Sequence, residues 1–468
     1  MIEGYFAFGL GPMFVGVLCL VILLARSQGR SSVQLIDWSL LFIGLVHGLF
    51  APFVLRSIIA GPAVSTGDRV IQEKFGEDLT YHSIVVVSAL IGLLLGWEAV
   101  RMIKARRADR SPVEPVRATS GWSLERWFWI MAAVAVLSQY LYTRDYGGFS
   151  GVFDYAQQVR AGALDESVRS RFSFLSPLAG FSMLACYGFF GLFLERSSRN
   201  IRTFLGAAST FAFSLYVLAS WQGRVALVVF VGSLLLGVLL FARLNRLAVI
   251  LGSGVFFVLG IASVAFVSGL LDRGEETSRL GFFTEQVSFV FSGFWAWAGG
   301  TDITYRYFYD LVVSPMFLLP SSMTLGDFTR ISDVHTALML GAAKGSGDIY
   351  GAMPLDLMTM GYSQLGLFGV VMYAAIFGAV LYLLQAWVDR IPNNGVRAVL
   401  EAYLSLRIAG IGMFYAEPEH LIRGNLPLVV SLILMALFGK RRRRAPSLLG
   451  DHQASISDER SDKSGRRF

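Results

Sequence analysis

Cysteine is nearly missing from this chain: there are two in 468 residues, Cys19 and Cys186, each inside an apolar run. That excludes a disulfide framework and any CxxC redox or metal motif. Charge is scarce too, at 16% of residues against 54% hydrophobic, where a soluble domain carries about 25% charged residues. With a mean hydropathy of +0.58, the composition is that of a polytopic membrane protein. No HExxH, GxSxG, Walker or Rossmann pattern stands in a usable context, so no metal, cofactor or nucleotide-driven chemistry is expected. The net charge is +7. Its Arg and Lys sit in short connectors between apolar runs, where they orient helices and form no nucleic-acid patch. The N-terminal run has no basic segment before it and no small-residue cleavage site, so a retained first helix is expected.

What is abundant is apolar sequence in lengths of about 20 residues, enough to cross a bilayer as a helix. The pattern predicts an all-α fold of eleven membrane-spanning helices near 5–25, 38–60, 81–100, 122–142, 173–194, 203–221, 225–242, 247–270, 364–387, 396–414 and 421–439. Alternate connectors are basic: Arg26 and Arg30; Arg101 to Arg117; Arg196, Arg199 and Arg202; Arg243 and Arg246; Arg390 and Arg397; and Lys440 to Arg444. Positive charge marks the cytoplasmic side, which predicts an outside N-terminus and an inside C-terminus. The reading is one transmembrane domain over 1–440 with outer loops at 143–172 and 271–361, followed by a disordered basic cytoplasmic tail over 441–468. The aromatic segment 282–298 would invert the last helices if it crossed. It is therefore expected to lie in the outer interface, with Phe294, Trp295 and Trp297 at the headgroup boundary and Glu285 in water.

The working surface is expected in the long outer interval from Leu271 to Gly361, because irregular backbone persists only outside the bilayer or where protein and water shield it. Arginine suits a phosphate, presenting a planar fork of donors that stays charged. Arg160, Arg169 and Arg171 cluster in the 143–172 loop, on the side where positive charge is not otherwise favoured. Arg224, in WQGRVALVVF, falls in a tight outer turn between two spans, and a cation held at the membrane mouth is a functional candidate by default. Arg407 lies inside an apolar run and needs a partner or a wet cavity. For acid–base work the candidates are His335 in the long loop and the connector FYAEPEHLIRGN, which places Glu417, Glu419 and His420 beside Arg423. The plain alternatives are headgroup anchoring for the arginines and an ordinary polar turn around Pro418.

Three stretches carry a resemblance: YGGFSGVFDYAQQVRAG ahead of a helix, the WQGR turn, and MPLDLMTMGYSQLGLFGVVMYAAIFGAVL with Gly366 and Gly369 entering a helix. Together with the architecture they resemble Wzy-type O-antigen polymerases, the oligosaccharide repeat unit polymerases. An Arg, ten residues, then Gly is described in the outer loops of some members, and Arg169 to Gly180 and Arg330 to Gly341 fit it. The first of these ends inside a helix, unlike the pattern. The resemblance implies an inner-membrane glycosyltransferase acting on undecaprenyl-pyrophosphate-linked oligosaccharide at the outer face. A flippase and a chain-length regulator would be its companions. In that setting the arginines would meet the diphosphate, one of His335, Glu417, Glu419 or His420 would be the base, and Tyr and Trp of the long loop would offer faces for sugar rings. An O-antigen ligase shares donor and compartment. A lipid or sugar transporter would show repeated halves, which this sequence lacks.

Overall fold

The structure is a computed structural model that describes residues 2–28, 32–74, 80–108, 121–161, 170–221, 224–242, 252, 279–300, 304–318, 328–342, 346, 349 and 352–441. Among the described residues every regular element is helical. Six helices there are long and apolar enough to cross a membrane: Gly9–Ser27, Leu35–Ala60, Thr80–Arg106, Ser173–Leu194, Ile201–Ser220 and Leu357–Val388. In chain order the elements are α1 (Ile2–Ser27), α2 (Leu35–Ala60), α3 (Thr66–Lys74), α4 (Thr80–Ala108), α5 (Gly121–Arg144), α6 (Gly148–Ala161) and α7 (Ser173–Leu194). They continue as α8 (Ile201–Ser220), α9 (Arg224–Phe241), α10 (Arg279–Ala298), α11 (Tyr309–Val313) and α12 (Ile331–Leu340). The last four are α13 (Leu357–Val388), α14 (394–414), α15 (Pro418–Arg423) and α16 (Leu426–Arg441). The span expected at 247–270 and the tail beyond 441 lie outside the described residues.

Local chemistry sets the helix starts. Asn200 accepts from the Thr203 N–H at 2.8 Å while the Thr203 hydroxyl accepts from the Asn200 N–H at 3.1 Å, a reciprocal cap that opens α8. Asn393 caps α14 through the Val396 N–H at 2.8 Å. In lipid, helices associate by close backbone approach, and the GLLLG sequence of α4 provides it. A Cβ on Gly92 or Gly96 would fall on the carbonyls of Val371 or Ala375, and one on Gly378 of α13 would fall on that of Leu93.

α13 is two arms. Its helical dihedrals fail at Leu365 (φ −161°, ψ 40°) and Gly366 (φ 60°, ψ −145°). A Cβ on Gly361 would lie 2.6 Å from the Val370 Cα, so residues 357–364 fold back on the arm that follows. The gap is filled from the long loop: the N–H groups of Arg306 and Tyr307 donate to the carbonyls of Ser363 and Gln364 at 3.1 and 3.0 Å. Two helices contain a turn of π-helix around a polar residue: Gly44–Phe50 in α2 with His47, and Ser405–Ile411 in α14 with Arg407. A π-turn widens the helix and often marks a functional position.

One expectation is corrected. The aromatic segment does not lie exposed at an interface: Phe294, Trp295 and Trp297 of α10 keep 0%, 3% and 3% of their surface. The helix is inserted into the bundle, with Phe291 against His47 and His82 and Phe294 against Tyr81 and Tyr362. Burying these rings against other aromatics removes more apolar area from water than an interfacial position would.

Candidate functional site

Four connectors converge at one end of the bundle: 304–310, 328–333, 352–356 and 415–425. The Ala416 N–H donates to the Leu355 carbonyl at 2.8 Å, the Leu355 N–H donates to Glu417 Oε1 at 3.2 Å, and the Tyr373 hydroxyl donates to the Ala416 carbonyl. Arg306 grips Asp310 through both Nε and Nη2 at 2.7 Å and donates to the Thr329 carbonyl at 2.9 Å. Gln364 adds a bond to the same Asp310 carboxylate at 3.0 Å. Across the gap, Glu419 faces Arg330 at 3.5 Å and Arg423 at 3.8 Å.

Glu417 sits at the centre. It is buried, and enclosure pushes its pKa from 4.5 up to about 8, with the carboxylates of Glu419, Asp333 and Asp310 adding to the effect against the Leu355 N–H. The two candidate histidines move the other way. The protein around the His420 ring, then the Arg407 and Arg423 guanidiniums, push it down to about 4, although the residue keeps an exposed edge and stacks on Tyr415 at 5.4 Å between centroids. His335 is fully buried, accepts from Trp297 Nε1 at 3.0 Å, and is pushed down to about 3 by burial, against the Pro354 carbonyl. A proton-transfer group works best with a pKa near the working pH. On that measure the arrangement selects Glu417 over either histidine.

Arg407 reaches the same place from inside the bundle. Its Nε donates to Asn425 Oδ1 at 3.3 Å. A Cβ on Gly424 would lie 3.0 Å from Arg407 Nη2 and 3.8 Å from His420 Nε2. Glu417, Glu419, His420 and Arg423 are thus brought together with Arg407, Arg330, Arg306 and Asp310. His335 lies in the packed layer beneath, on the helix that Arg330 begins. Arg171 stands elsewhere, exposed, its backbone N–H bonded to Asp145 at 3.1 Å. Arg160 is in α6 and Arg224 opens α9, their side chains undescribed, and Arg169 lies outside the described residues. The Arg330 to Gly341 spacing has a structural reason: Arg330 is the N-cap and Gly341, at φ 74°, the C-cap of the ten-residue α12.

Sequence reasoning passed over Arg306, Asp310, Gln364 and Asp333. The first pair stands four apart in TYRYFYD, but a tight turn rather than a helix face brings the two side chains together. Within the same segment Tyr307 (φ 48°) and Phe308 (φ 61°) are, among the described residues, the non-glycine residues in the left-handed region. Such conformations cost about 1–3 kcal/mol each and gather at functional sites.

The fold and site define a helical membrane protein with a polar cluster of connectors that joins arginines and carboxylates to the buried Glu417. Compared with known proteins, the chain matches no family model, no curated protein and no solved structure.

Proposed function

We propose that this chain joins polyprenyl-diphosphate-linked oligosaccharide repeat units by glycosyl transfer at the outer face of a bacterial inner membrane. The observation that carries the reading is Glu417: a buried carboxyl with its pKa raised to about 8, on the connector whose Glu419 faces Arg330 and Arg423 and whose Asn425 accepts from Arg407. Ionised Glu417 takes the proton of an acceptor hydroxyl. That oxygen bonds to the reducing-end carbon of the growing chain, the bond from carbon to the lipid diphosphate breaks, and the electron pair leaves on the diphosphate. Arginines meet the charge that develops there without needing a metal. In this reading Arg407 and Arg423 stand nearest the reaction, while Arg160, Arg169, Arg171 and Arg224 are diphosphate contacts proposed from the sequence alone. The basic connectors support it: the topology they predict, with the N-terminus periplasmic and the C-terminus cytoplasmic, would put these connectors on the side where such a donor is presented.

Purified chain in liposomes, given lipid-linked repeat unit alone, should yield a ladder of lengthened products. Product that forms only after a lipid A core acceptor is added would make it a ligase. Accumulation of unaltered lipid-linked unit across the membrane would make it a transporter.

A further inference from the structure

The turn at the tip of TYRYFYD is built from the wrong residues for its shape. Tyr309 donates its N–H to the Arg306 carbonyl at 2.9 Å, enclosing Tyr307 and Phe308, both left-handed, with Phe308 at φ 61° and ψ 15°. This is a type I′ turn, which Asn-Gly forms without strain and aromatic residues do not favour. What the strain achieves is presentation: Tyr307 is 70% exposed and Tyr309 is 40% exposed. The Arg306 guanidinium lies over the Tyr309 ring, 5.3 Å from its centre. A polar group stands beside the rings, because Arg306 also holds the Thr329 carbonyl at 2.9 Å, which brings exposed Thr329 to the same edge. The turn cannot wander, since its preceding backbone is bonded into the break of α13 and Arg306 is clamped to Asp310.

We infer that Tyr307 and Tyr309 form a platform for a pyranose ring of the acceptor glycan. A sugar has an apolar C–H face and a rim of hydroxyls. Exposed tyrosine faces take the first, and the Thr329 hydroxyl and the Arg306 guanidinium beside the Tyr309 ring take the second. A purely membrane-facing role would not need a strained turn flanked by an ion pair. The choice of a glycan rests on the polymerase reading, while the presence of a binding platform at this turn does not.

Two variants of the full chain in liposomes decide it. Tyr307→Asn combined with Phe308→Gly relaxes the turn and removes the ring; Tyr307→Trp keeps an aromatic face. If the turn binds glycan, the relaxed variant should melt at or above the wild-type temperature yet show about a tenfold higher KM for lipid-linked repeat unit, the loss of one aromatic contact. Tyr307→Trp should keep the wild-type KM, and the difference between its fluorescence and that of the wild type, which carries nine Trp, should shift on adding the free oligosaccharide released from that unit. A wild-type KM in the relaxed variant overturns the platform. So does quenching of the introduced Trp by brominated phospholipid without response to oligosaccharide, which would assign the ring to the lipid interface. If wild-type chain makes no polymer, the fluorescence arm still decides: a response keeps the platform and removes the polymerase reading, and no response removes both.

Discussion

Glu417 holds its proton more tightly in the folded chain than its ordinary value allows, about 8 against 4.5. Between those values the folded chain carries a proton that the unfolded chain has released. The stabilisation is therefore complete below pH 4.5, declines as pH rises and is gone once pH passes about 8. His335 works in the opposite sense: its pKa falls from 6.5 to about 3, so its contribution is present above pH 6.5 and is lost as pH falls toward 3. Glu417→Gln leaves an acceptor for the Leu355 N–H and removes the titration. Detergent melts should show the wild type losing stability between pH 5 and pH 9 while Glu417→Gln loses less; equal slopes would contradict the assigned burial. On activity the same substitution should cost on the order of 10²–10⁴-fold, the contribution of a positioned proton acceptor, with wild-type rate climbing as pH rises through about 8. A flat profile from pH 6 to pH 9 would exclude Glu417 as the base. Paired against it, Arg407→Lys should melt near the wild-type temperature yet lose activity, since a point charge cannot replace a planar fork; wild-type activity in that variant would remove Arg407 from the site.

Among the elements, the reversal in α13 has the sharpest requirement on one residue. Gly366 adopts φ 60° and ψ −145°, a region that side chains strongly disfavour, so Gly366→Ala should cost about 1–3 kcal/mol. Gly361→Leu should do worse, because its side chain would have to pass through the Val370 backbone. A lowered melting temperature in detergent for both, larger for Gly361→Leu, is the expected result; an unchanged one would mean the arms are not packed as described. This element also separates what the sequence makes legible from what it hides. The apolar run locates the long arm, since the expected start at 364 falls beside the break at Leu365 and Gly366. The reversal itself is invisible, because 49 glycines offer many places for a positive φ and only contacts decide which one is used. The aromatic segment fails for a related reason: its period suits an interface as well as a core. The rings that enclose it, at His47, Tyr81 and His82, come from helices some 200 residues earlier in the chain. Of the site, the cluster at Glu417, Glu419, His420 and Arg423 is legible because one connector holds it, whereas Asp310 and Gln364 are joined by a bond across 54 residues.

For the molecule as a whole, the distribution of basic connectors predicts sidedness, and the structure supplies positions where it can be read. Ser65 and Ser332 fall in outer segments by that rule but are buried at 6% and 8%, so a cysteine there would react poorly whichever side it faced. Val64 is 75% exposed, and Thr329 and Ser197 are exposed as well. The two native cysteines are buried, out of reach of a reagent carried in water, so background labelling should be low without removing them. Val64→Cys and Thr329→Cys should be modified by a membrane-impermeant maleimide added to intact cells. Ser197→Cys, in the Arg196 to Arg202 connector, should be modified only after the membrane is opened. The test bears on the chemistry as well as the count, because Thr329 is held by Arg306, which is held by Asp310 and the α13 break. Whichever side the Thr329→Cys variant labels from is therefore the side on which the Glu417 cluster opens. Labelling of Thr329→Cys from the cytoplasm, with Ser197→Cys labelled from outside, would invert the bundle. It would place the candidate site where activated sugars, not lipid-linked chains awaiting export, are the available donors.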